Sequence, residues 1–443
     1  MNSSFSFAKV WFAFSLAALV FVYGVGVGKW EWFPHSFLDR AMDQARSARS
    51  LVSQDQGPTT FIGTPKYERR GVRIPKPGEM QPGLTLISSS WERSDGWDPE
   101  LRLITSQGKV LHKWRVDRDN VFQGEILGQG GNQAGVHGSH LLPNGDVVVN
   151  LEYTGTVRLN SCGEVVWELQ EGNHHSVAQD EDGSFWTPGV SSKPRHKSEM
   201  HPGGYTGVNK DVWVEYIYNI STDGKINKKI NILDIIFNSN ISYILREAMY
   251  NHKGEDITHM NDVEPLSKKM SDEYPNFESG DLLVSLLGLN LIFVFDPDNG
   301  SVKWHTTDNF AMQHDPDFVG DGWISVLDNN ADWAGGSRIV SFKPSEDSIR
   351  IRPSQSDLKG FFTSGQGKHQ RLDNGNILLS EANAGRAVEV SSEGQTVWEW
   401  IREPIDDSTV PKVTNAIRVD LTQEEVASWS CSSVDPASTS AQK

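Results

Sequence analysis

The chain contains very little cysteine: Cys162 and Cys431 are the only two in 443 residues. Two isolated cysteines supply no thiolate pair for a zinc or iron–sulfur site. They do not indicate a disulfide framework, and neither reports the redox compartment. A surplus of positive charge is also missing, because 41 Lys and Arg face 58 Asp and Glu, for a net charge of −17. This balance argues against nucleic acid or an acidic membrane surface as a partner.

Long helical patterns are scarce, and a single long apolar run occurs. Residues Val10–Gly28 carry no charge and are long enough to cross about 30 Å of hydrocarbon as a helix. A cleaved signal peptide is the alternative, but the run is longer than an h-region and no clear cleavage site follows it. We therefore predict an uncleaved N-terminal transmembrane helix within residues 1–30. The charge bias is weak, with Lys9 on one side and Lys29, Arg40, Arg46 and Arg49 on the other, so charge alone does not give the orientation of this helix.

The sequence is rich in one repeated phrase: a histidine, a short polar run, a turn built on Asn/Asp-Gly, and a Val/Ile/Leu-rich strand. The copies begin at His137, His174 and His175, His259, His314 and His369. In the copies at His137, His175 and His314, the histidine precedes the turn glycine by the same number of residues. Several copies finish with a second turn and a Trp-bearing strand. Each copy therefore reads as one four-stranded antiparallel blade.

Repeats of roughly 40 to 55 residues made of short strands predict an all-β fold, a six-bladed β-propeller. The first blade begins near Leu84 and the others begin at the histidines. A large β-sandwich is the competing all-β arrangement, but it gives no reason for a periodic histidine. In a propeller, residues just before the innermost strands converge at the mouth of the central channel. The histidines are therefore predicted to share one site.

The other segments are assigned by composition. Residues 31–82 are polar and rich in Pro and Gly, which predicts a tether before the propeller at 83–422. Apolar residues three and four apart within 232–250 predict an amphipathic helix inserted between blades. The strand-like stretch Val413–Leu421 is predicted to pair with the first blade and close the ring. The Ser-rich residues 423–443 are predicted to be disordered.

Clustered histidines can bind a transition metal, act as general acid and base, or attack an electrophile directly. The alternative is structural, because a histidine before an inner strand can simply hydrogen-bond a turn. No cofactor is predicted. Ca²⁺ or another divalent metal stays possible because acids lie beside the histidines, and the same acids can instead orient the imidazoles. These acids are Asp262, Glu264, Asp315 and Asp317.

Four motifs occur in the order NHHS…DEDGSFW, THMNDVEPL, QHDPDFVGDGWISVLDNN and KHQRLDNGNILLSEANAG. Over about Leu84–Leu421 the chain thereby resembles the arylsulfotransferase family of six-bladed propellers. The resemblance implies transfer of a sulfuryl group between phenols, without a nucleotide donor, through a transiently sulfated histidine. It implies His314 as the nucleophile, with His259 and either His174 or His175 binding the oxygens of the transferred group. It also implies a small aromatic or sulfated substrate and favours a propeller exported to the periplasmic or extracytoplasmic side.

The sequence departs from the family at one position, because Leu287 stands where the family has an arginine. The cations that can substitute are Arg338, Arg371, Arg386 and Arg195. The further candidate substrate-binding residues are His137, His369, Asn261, Asp315 and Arg338. Without a substitute cation, the chain handles a different group or is a noncatalytic propeller that binds a small ligand or a protein. A metal-dependent hydrolase or lyase using the His/Asp set is a third alternative.

Overall fold

The structure is a computed structural model. It describes residues 7–30, 61–93, 96–117, 121–122, 135–206, 208, 210–251, 255–329, 336–352 and 361–431. The chain divides into two compact units, Met1–Thr59 and Thr60–Lys443. In the first unit, helix α1 (Phe7–Trp30) confirms that the N-terminal apolar run is helical. Within the described ranges, no helix has the length and apolarity needed to cross a membrane.

The second unit is built mainly of β-strands. The first nine are β1 (Ile62–Gly63), β2 (Gly71–Arg73), β3 (Leu84–Arg93), β4 (Gly96–Ile104), β5 (Val110–Arg115), β6 (Val136–Leu141), β7 (Val147–Leu151), β8 (Gly155–Leu159) and β9 (Val165–Leu169). The next nine are β10 (Ala178–Gln179), β11 (Phe185–Val190), β12 (Glu215–Ile220), β13 (Ile226–Asn231), β14 (Met260–Pro265), β15 (Leu282–Leu286), β16 (Leu291–Phe295), β17 (Val302–Thr306) and β18 (His314–Phe318). The last nine are β19 (Ile324–Asp328), β20 (Arg338–Lys343), β21 (Ser348–Arg352), β22 (His369–Arg371), β23 (Ile377–Glu381), β24 (Arg386–Val390), β25 (Thr396–Ile401), β26 (Val410–Pro411) and β27 (Asn415–Val419).

These strands form six antiparallel blades, which confirms the predicted six-bladed β-propeller. The blades have the strand orders β27-β3-β4-β5, β6 to β9, β10 to β13, β14 to β17, β18 to β21, and β22 to β25 with β2 added at the outer edge. A cavity of about 600 Å³ is lined by residues of all six inner strands or of the segments leading into them. The inner strands therefore surround one central channel, as the blade pattern predicted.

The ring is closed by the C-terminal strand. Strand β27 pairs with β3 in the register Asn415↔Ser88 to Val419↔Leu84. It supplies the innermost strand of the first blade, which removes two open sheet edges at once. The predicted closure by Val413–Leu421 is therefore confirmed.

The repeated tryptophans hold neighbouring blades together. Trp114 and Trp398, on outer strands, are fully buried. The indole N–H of Trp114 donates to the carbonyl of Gly145 at 2.9 Å, and that of Trp398 donates to the carbonyl of Ser106 at 2.8 Å. Each acceptor lies in a turn of the following blade. A Trp at this point thus fills an apolar gap while its polar N–H is satisfied.

Part of the predicted tether belongs to the propeller instead. Residues 31–60 lie outside the described ranges, but β1 pairs with β26 and β2 pairs with β25. Both Arg69 and Arg73 donate to the buried carboxylate of Glu399, at 2.8 and 2.6 Å. Burial alone would raise the pKa of Glu399, but the arginines lower it to about 2. This segment is fixed because the sixth blade buries carboxylates that need cationic partners.

The helix predicted between blades is present as two shorter ones. Helix α2 (Ile232–Phe237) is capped by Asn231, whose side chain accepts a hydrogen bond from the Leu233 N–H at 3.0 Å. Helix α3 (Ser242–Asn251) follows after a turn. Buried residues of both helices share one apolar cluster with strands of the third and fourth blades. Another short helix, α4 (Lys268–Ser271), lies in the insertion after β14.

The start of the predicted disordered tail is ordered, and it carries a disulfide. Helix α5 (Gln423–Ala427) precedes Trp429, whose ring lies 5.8 Å from that of Trp114. This packing brings Cys431 to the turn after β8, where it is joined to Cys162 with a Cα–Cα distance of 4.9 Å. The sequence did not indicate this disulfide, because the pairing depends on contacts between residues 269 positions apart. Residues 432–443 lie outside the described ranges.

Removing the disulfide is expected to destabilise the propeller. In a Cys162→Ser/Cys431→Ser variant, the free energy of unfolding should fall by about 3 kcal/mol, since the cross-link restricts the unfolded chain. Urea unfolding followed by tryptophan fluorescence measures the change. A reductant should shift the wild-type midpoint in the same direction and leave the double variant unchanged. Equal midpoints for both proteins under oxidising conditions would contradict a stabilising role.

Candidate functional site

Five histidines meet at one end of the channel, with His175 at their centre. Its ring centroid lies 4.2 Å from that of His137, 4.9 Å from His174, 5.4 Å from His259 and 6.3 Å from His314. His137, His174 and His314 are almost fully buried, and His259 is partly exposed. We call these five residues the histidine cluster. The convergence predicted from sequence periodicity is therefore present in the fold.

Irregular backbone directs these side chains. The inner strands β6, β14 and β18 each carry a register shift near the histidine, and such bulges re-aim side chains. In addition, His175 and His259 adopt positive φ angles of 53° and 45°. A left-handed conformation costs a non-glycine residue roughly 1 to 2 kcal/mol and is found mostly at functional sites. The fold thus accepts strain at the positions where the histidines meet.

His369 does not join the cluster. Its Nε2 lies 2.6 Å from the hydroxyl of Ser325, and its Nδ1 lies 3.1 Å from the Asp315 carboxylate. The sequence explains the difference, because His369 is two residues closer to its turn glycine than His137, His175 and His314 are to theirs. Two strand residues correspond to about 6.6 Å. His369 therefore lies deeper in the channel, and the prediction that it contributes to the same site needs this correction.

The hydrogen bonds of His314 fix its tautomer. Its Nδ1 lies 2.9 Å from the Asn329 side-chain oxygen and 3.0 Å from the carbonyl of Met312. The Asn329 amide nitrogen donates to the carbonyls of Thr363 and Gln366, so its oxygen faces His314. Because both neighbours of Nδ1 are acceptors, Nδ1 carries the proton. Nε2 accepts from the Gln366 backbone N–H at 3.1 Å, and it therefore holds a lone pair.

The histidines differ strongly in charge state. Burial lowers the pKa of His314 to about 3 and of His174 to about 4, and it lowers the pKa of His175 well below its usual value. Burial would also lower the pKa of His259, but the carboxylates of Asp256, Glu215 and Glu152 raise it to about 9. At neutral pH His174, His175 and His314 are thus neutral imidazoles, whereas His259 is an imidazolium.

Three acids that the sequence interpretation missed surround the cluster. Glu152 accepts from His137 at 2.5 Å, and Asp256 lies 2.6 Å from His259 Nδ1. Glu215 accepts from the Met260 N–H at 2.7 Å, and burial together with the charge of Asp256 raises its pKa to about 8. Burial raises the pKa of Glu152, but His137 reverses the effect and lowers it. Two ionised carboxylates therefore lie beside the cluster at neutral pH.

Residues directly after the second strand of a blade form a second layer of the site. Glu152 follows β7, Leu287 follows β15 and Asn329 follows β19. Leu287 donates its N–H to the carbonyl of His259 at 3.0 Å, so the position lacking the family arginine lies next to that histidine. The position directly after the second strand of a blade was singled out in the sequence only for Leu287. The same position in two other blades would have identified Glu152 and Asn329.

The proposed substitute cations have other partners, and none of their described contacts is with a histidine of the cluster. Arg338 pairs with Asp328 at 2.9 Å, and Arg386 pairs with Glu399 and Glu381. Arg371 donates to the carbonyl of Val319, and Arg195 bridges to Val212 through its backbone. One cation near Glu152 was not predicted from the sequence. Burial lowers the pKa of Lys412, and the negative charge of Glu152 partly opposes this decrease.

The remaining predicted substrate-binding residues have other partners. The amide of Asn261 donates to the carbonyl of Gln313 at 2.6 Å, while its side-chain oxygen is buried without a described partner. The Asp315 carboxylate accepts from the Lys368 ammonium and the His369 N–H. Asn261 therefore supports the segment before His314, and Asp315 belongs to the deeper part of the channel.

Two sets of residues in the propeller channel have metal-ligand spacing. The ligand atoms of His137, Glu152 and His175 lie within 4.8 Å of one another, and so do those of Asp315, Asp317 and His369. Two imidazoles with one carboxylate match a common zinc ligand set. The second set is already engaged by Lys368. The first set is therefore the better candidate for a transition metal.

The fold and site define a β-propeller with a buried polar site at one end of its channel. A family model described as arylsulfotransferase (ASST) matches residues 138–403, and the chain belongs to this family. None of the curated proteins compared with the chain matches it.

Among solved structures, the chain is similar to a protein of unknown function from Bacteroides caccae. The two are 13% identical over 75% of this chain and 99% of that one, with a TM-score of 0.48. It is also similar to a streptogramin B lyase, at 10% identity over 75% of this chain and 88% of that one, with a TM-score of 0.41. For a virginiamycin B lyase from Staphylococcus aureus the identity is 9%, the coverage 81% and 91%, and the TM-score 0.36.

Proposed function

We propose that the protein transfers a sulfuryl group from an aryl sulfate to a phenolic acceptor through His314. The observation that carries this proposal is the state of His314, whose Nδ1 proton is held by Asn329 while Nε2 keeps its lone pair. A pKa lowered to about 3 keeps the ring neutral. A neutral imidazole with a fixed tautomer is a competent nucleophile at physiological pH.

The reaction balances in two displacements. His314 Nε2 attacks sulfur, the N–S bond forms, and the S–O bond to the aryl group breaks, so that the phenolate leaves with the electron pair of that bond. The acceptor phenol then passes its proton through water to the departed phenolate, and its oxygen attacks sulfur, which returns the N–S electron pair to Nε2. The Gln366 N–H has to release Nε2 before the first attack, because it occupies the same lone pair. The freed N–H is then a donor for a sulfuryl oxygen.

The His259 imidazolium replaces the missing guanidinium in this proposal. It lies beside Leu287, whose N–H donates to its carbonyl, and its raised pKa keeps it charged at neutral pH. Positive charge is needed because negative charge on the sulfuryl oxygens and on the departing phenolate must be stabilised. Lys412 provides a further cation near Glu152.

Asn329 acts as a positioning residue for His314. In Asn329→Ala, kcat should fall roughly 10- to 100-fold with little change in KM, since a nucleophile that turns away loses orientation rather than substrate binding. The ¹⁵N shifts of His314 should show a mixture of tautomers. Asn376→Ala is the matched control, because Asn376 is equally buried and bonds Glu389 in the sixth blade. A variant with wild-type kcat and one tautomer would rule out this role.

A metal-dependent reaction is the second candidate, and the spacing of His137, Glu152 and His175 favours it. A divalent ion there would offset the buried Glu152 charge and polarise a bound water or carbonyl. Elemental analysis of the purified protein separates the candidates. About one equivalent of zinc that is lost in His137→Ala supports the metal enzyme, whereas metal-free protein with activity resistant to chelators supports sulfuryl transfer.

We also propose that the propeller works outside the cytoplasm, attached to a membrane through residues 1–30. The Cys162–Cys431 disulfide supports the first part, because disulfides persist in oxidising compartments. The uncharged run Val10–Gly28 is the basis of the second part. Carbonate washing of isolated membranes tests the attachment, since an anchored protein stays in the membrane pellet. Protease added outside the cell tests the export, since an exported propeller is accessible to digestion.

A further inference from the structure

The channel holds a cavity of about 600 Å³ that is separate from the histidine cluster. Residues of all six inner strands or of the segments leading into them line it, and none of the five cluster histidines does. Its apolar lining includes Val263, Met270, Phe318 and Leu372. A cavity of this size and composition accommodates a small organic molecule.

The polar lining of the cavity is dominated by carboxyl groups. Five acids line it, against the cations Lys368 and Arg371. The acids are Asp262, Glu264, Asp315, Asp317 and Asp373. The Lys368 ammonium contacts Asp262 at 3.3 Å and Asp315 more closely. Although burial alone would lower the pKa of Lys368, these two carboxylates raise it, so that the ammonium is fully engaged by them.

Glu264 and Asp317 are left without a lysine or arginine partner in the described part of the chain. One Glu264 oxygen accepts from the Phe318 N–H at 3.0 Å. Asp317 lies 3.6 Å from His369 Nε2 and keeps 26% of its side chain exposed. Burial raises the pKa of each group well above its usual range, and repulsion from the neighbouring carboxylates adds a smaller increase. The two carboxyl groups therefore lack a cation beside the cavity that would favour their ionised form.

Asn415 gives an independent indication of a ligand. It lines the cavity from β27 and is only 2% exposed. Its amide nitrogen contacts the hydroxyl of Ser139, but its side-chain oxygen has no partner among the described residues. A buried acceptor without a donor is unfavourable. The cavity thus combines three acceptor groups that lack strong donors.

The geometry points to a binding site for a small organic cation, with a protonated primary amine at Glu264 and Asp317 and an apolar body against Phe318 and Met270. An ammonium carries N–H donors and one positive charge, which match the two carboxyl groups, and the Asn415 oxygen is a further acceptor in the cavity lining. A divalent metal fits less well, because His369 is already bonded to Asp315 and Ser325. This site goes beyond the proposed sulfuryl transfer and does not depend on it.

Isothermal titration of the full-length protein with phenethylamine tests the site, with 2-phenylethanol as the neutral counterpart and CaCl₂ as the metal. Phenethylamine should bind saturably, and 2-phenylethanol should bind at least about tenfold more weakly, since it lacks the charge. Asp317→Asn should weaken amine binding by about tenfold or more. Because a neutral amide resembles the protonated carboxyl, this variant should keep its fold, which a thermal melt checks.

Asp373→Asn is the matched control, because it makes the same carboxyl-to-amide change at an exposed residue of the cavity lining. It should change amine affinity by less than about twofold. Three results would overturn the proposal: no saturable binding of the amine at millimolar concentration, equal binding of the amine and the alcohol, or binding of Ca²⁺ in place of the amine. A His314→Asn protein should bind the amine as the wild type does, so failure here is distinguishable from failure of the transfer reaction.

Discussion

Replacing His314 by asparagine is expected to lower turnover of an aryl sulfate by at least about a thousandfold, because the variant has no nitrogen lone pair with which to attack sulfur. Asparagine places an amide group near the position of Nδ1, so Asn329 retains a hydrogen-bonding partner. Release of 4-nitrophenol from 4-nitrophenyl sulfate measures the loss. Intact-mass spectrometry should show one added sulfuryl group on the wild type and none on the variant.

His305→Asn is the control for this result. His305 lies on the outer strand β17, is partly exposed and contacts Tyr243, so its replacement should change turnover by less than about twofold. A His314→Asn protein that still carries the sulfuryl adduct would place the nucleophile elsewhere in the cluster. A folded wild type that forms no adduct and releases no phenol would favour the noncatalytic binding module.

Replacing His259 by glutamine should lower kcat/KM roughly 100- to 1000-fold, because the variant lacks the imidazolium that faces the transferred group. The same residue sets the alkaline limit of the wild-type rate. His259 has a pKa of about 9, so it is charged below that pH and becomes neutral above it. Activity should therefore fall as pH rises through about 9, and rate measurements between pH 6 and 10 follow the loss.

The pH profile of the variant distinguishes two origins of this limit. If His259 is responsible, the residual activity of His259→Gln should show no decline near pH 9. A decline that persists, or one centred near pH 8, would point instead to ionisation of Glu215, whose pKa is raised to about 8. Glu215→Gln is the companion variant, because it removes that ionisation while keeping an acceptor for the Met260 N–H.

Blade number, ring closure and the convergence of the histidines were predictable because they follow from local patterns. An Asn/Asp-Gly turn and a run of Val, Ile and Leu define each strand pair, and equal spacing to the turn glycine places His137, His175 and His314 at the same height in the channel. The same rule would have placed His369 two residues deeper. Its deviation was visible in the sequence and was overlooked.

The charge of the site was not predictable, because it depends on packing between distant segments. Asp256, Glu215 and Glu152 come from three parts of the chain, and only their proximity in the fold makes His259 an imidazolium. The partners of Arg386 depend on strand pairing, since Glu381 and Glu399 lie on the strands on either side of β24. A sequence shows which ionisable groups exist, whereas their charge depends on what surrounds them.

The Cys162–Cys431 bond gives the ring a property that its hydrogen bonds do not provide. Because the bond joins the second blade to the segment after β27, most of the chain lies inside one covalent loop. A protease that cuts one inter-blade connection within that loop leaves a single molecule of nearly unchanged mass, and β27 stays in place to hold the first blade. Two fragments separate only after reduction and unfolding. In a compartment rich in proteases, this propeller tolerates a broken backbone.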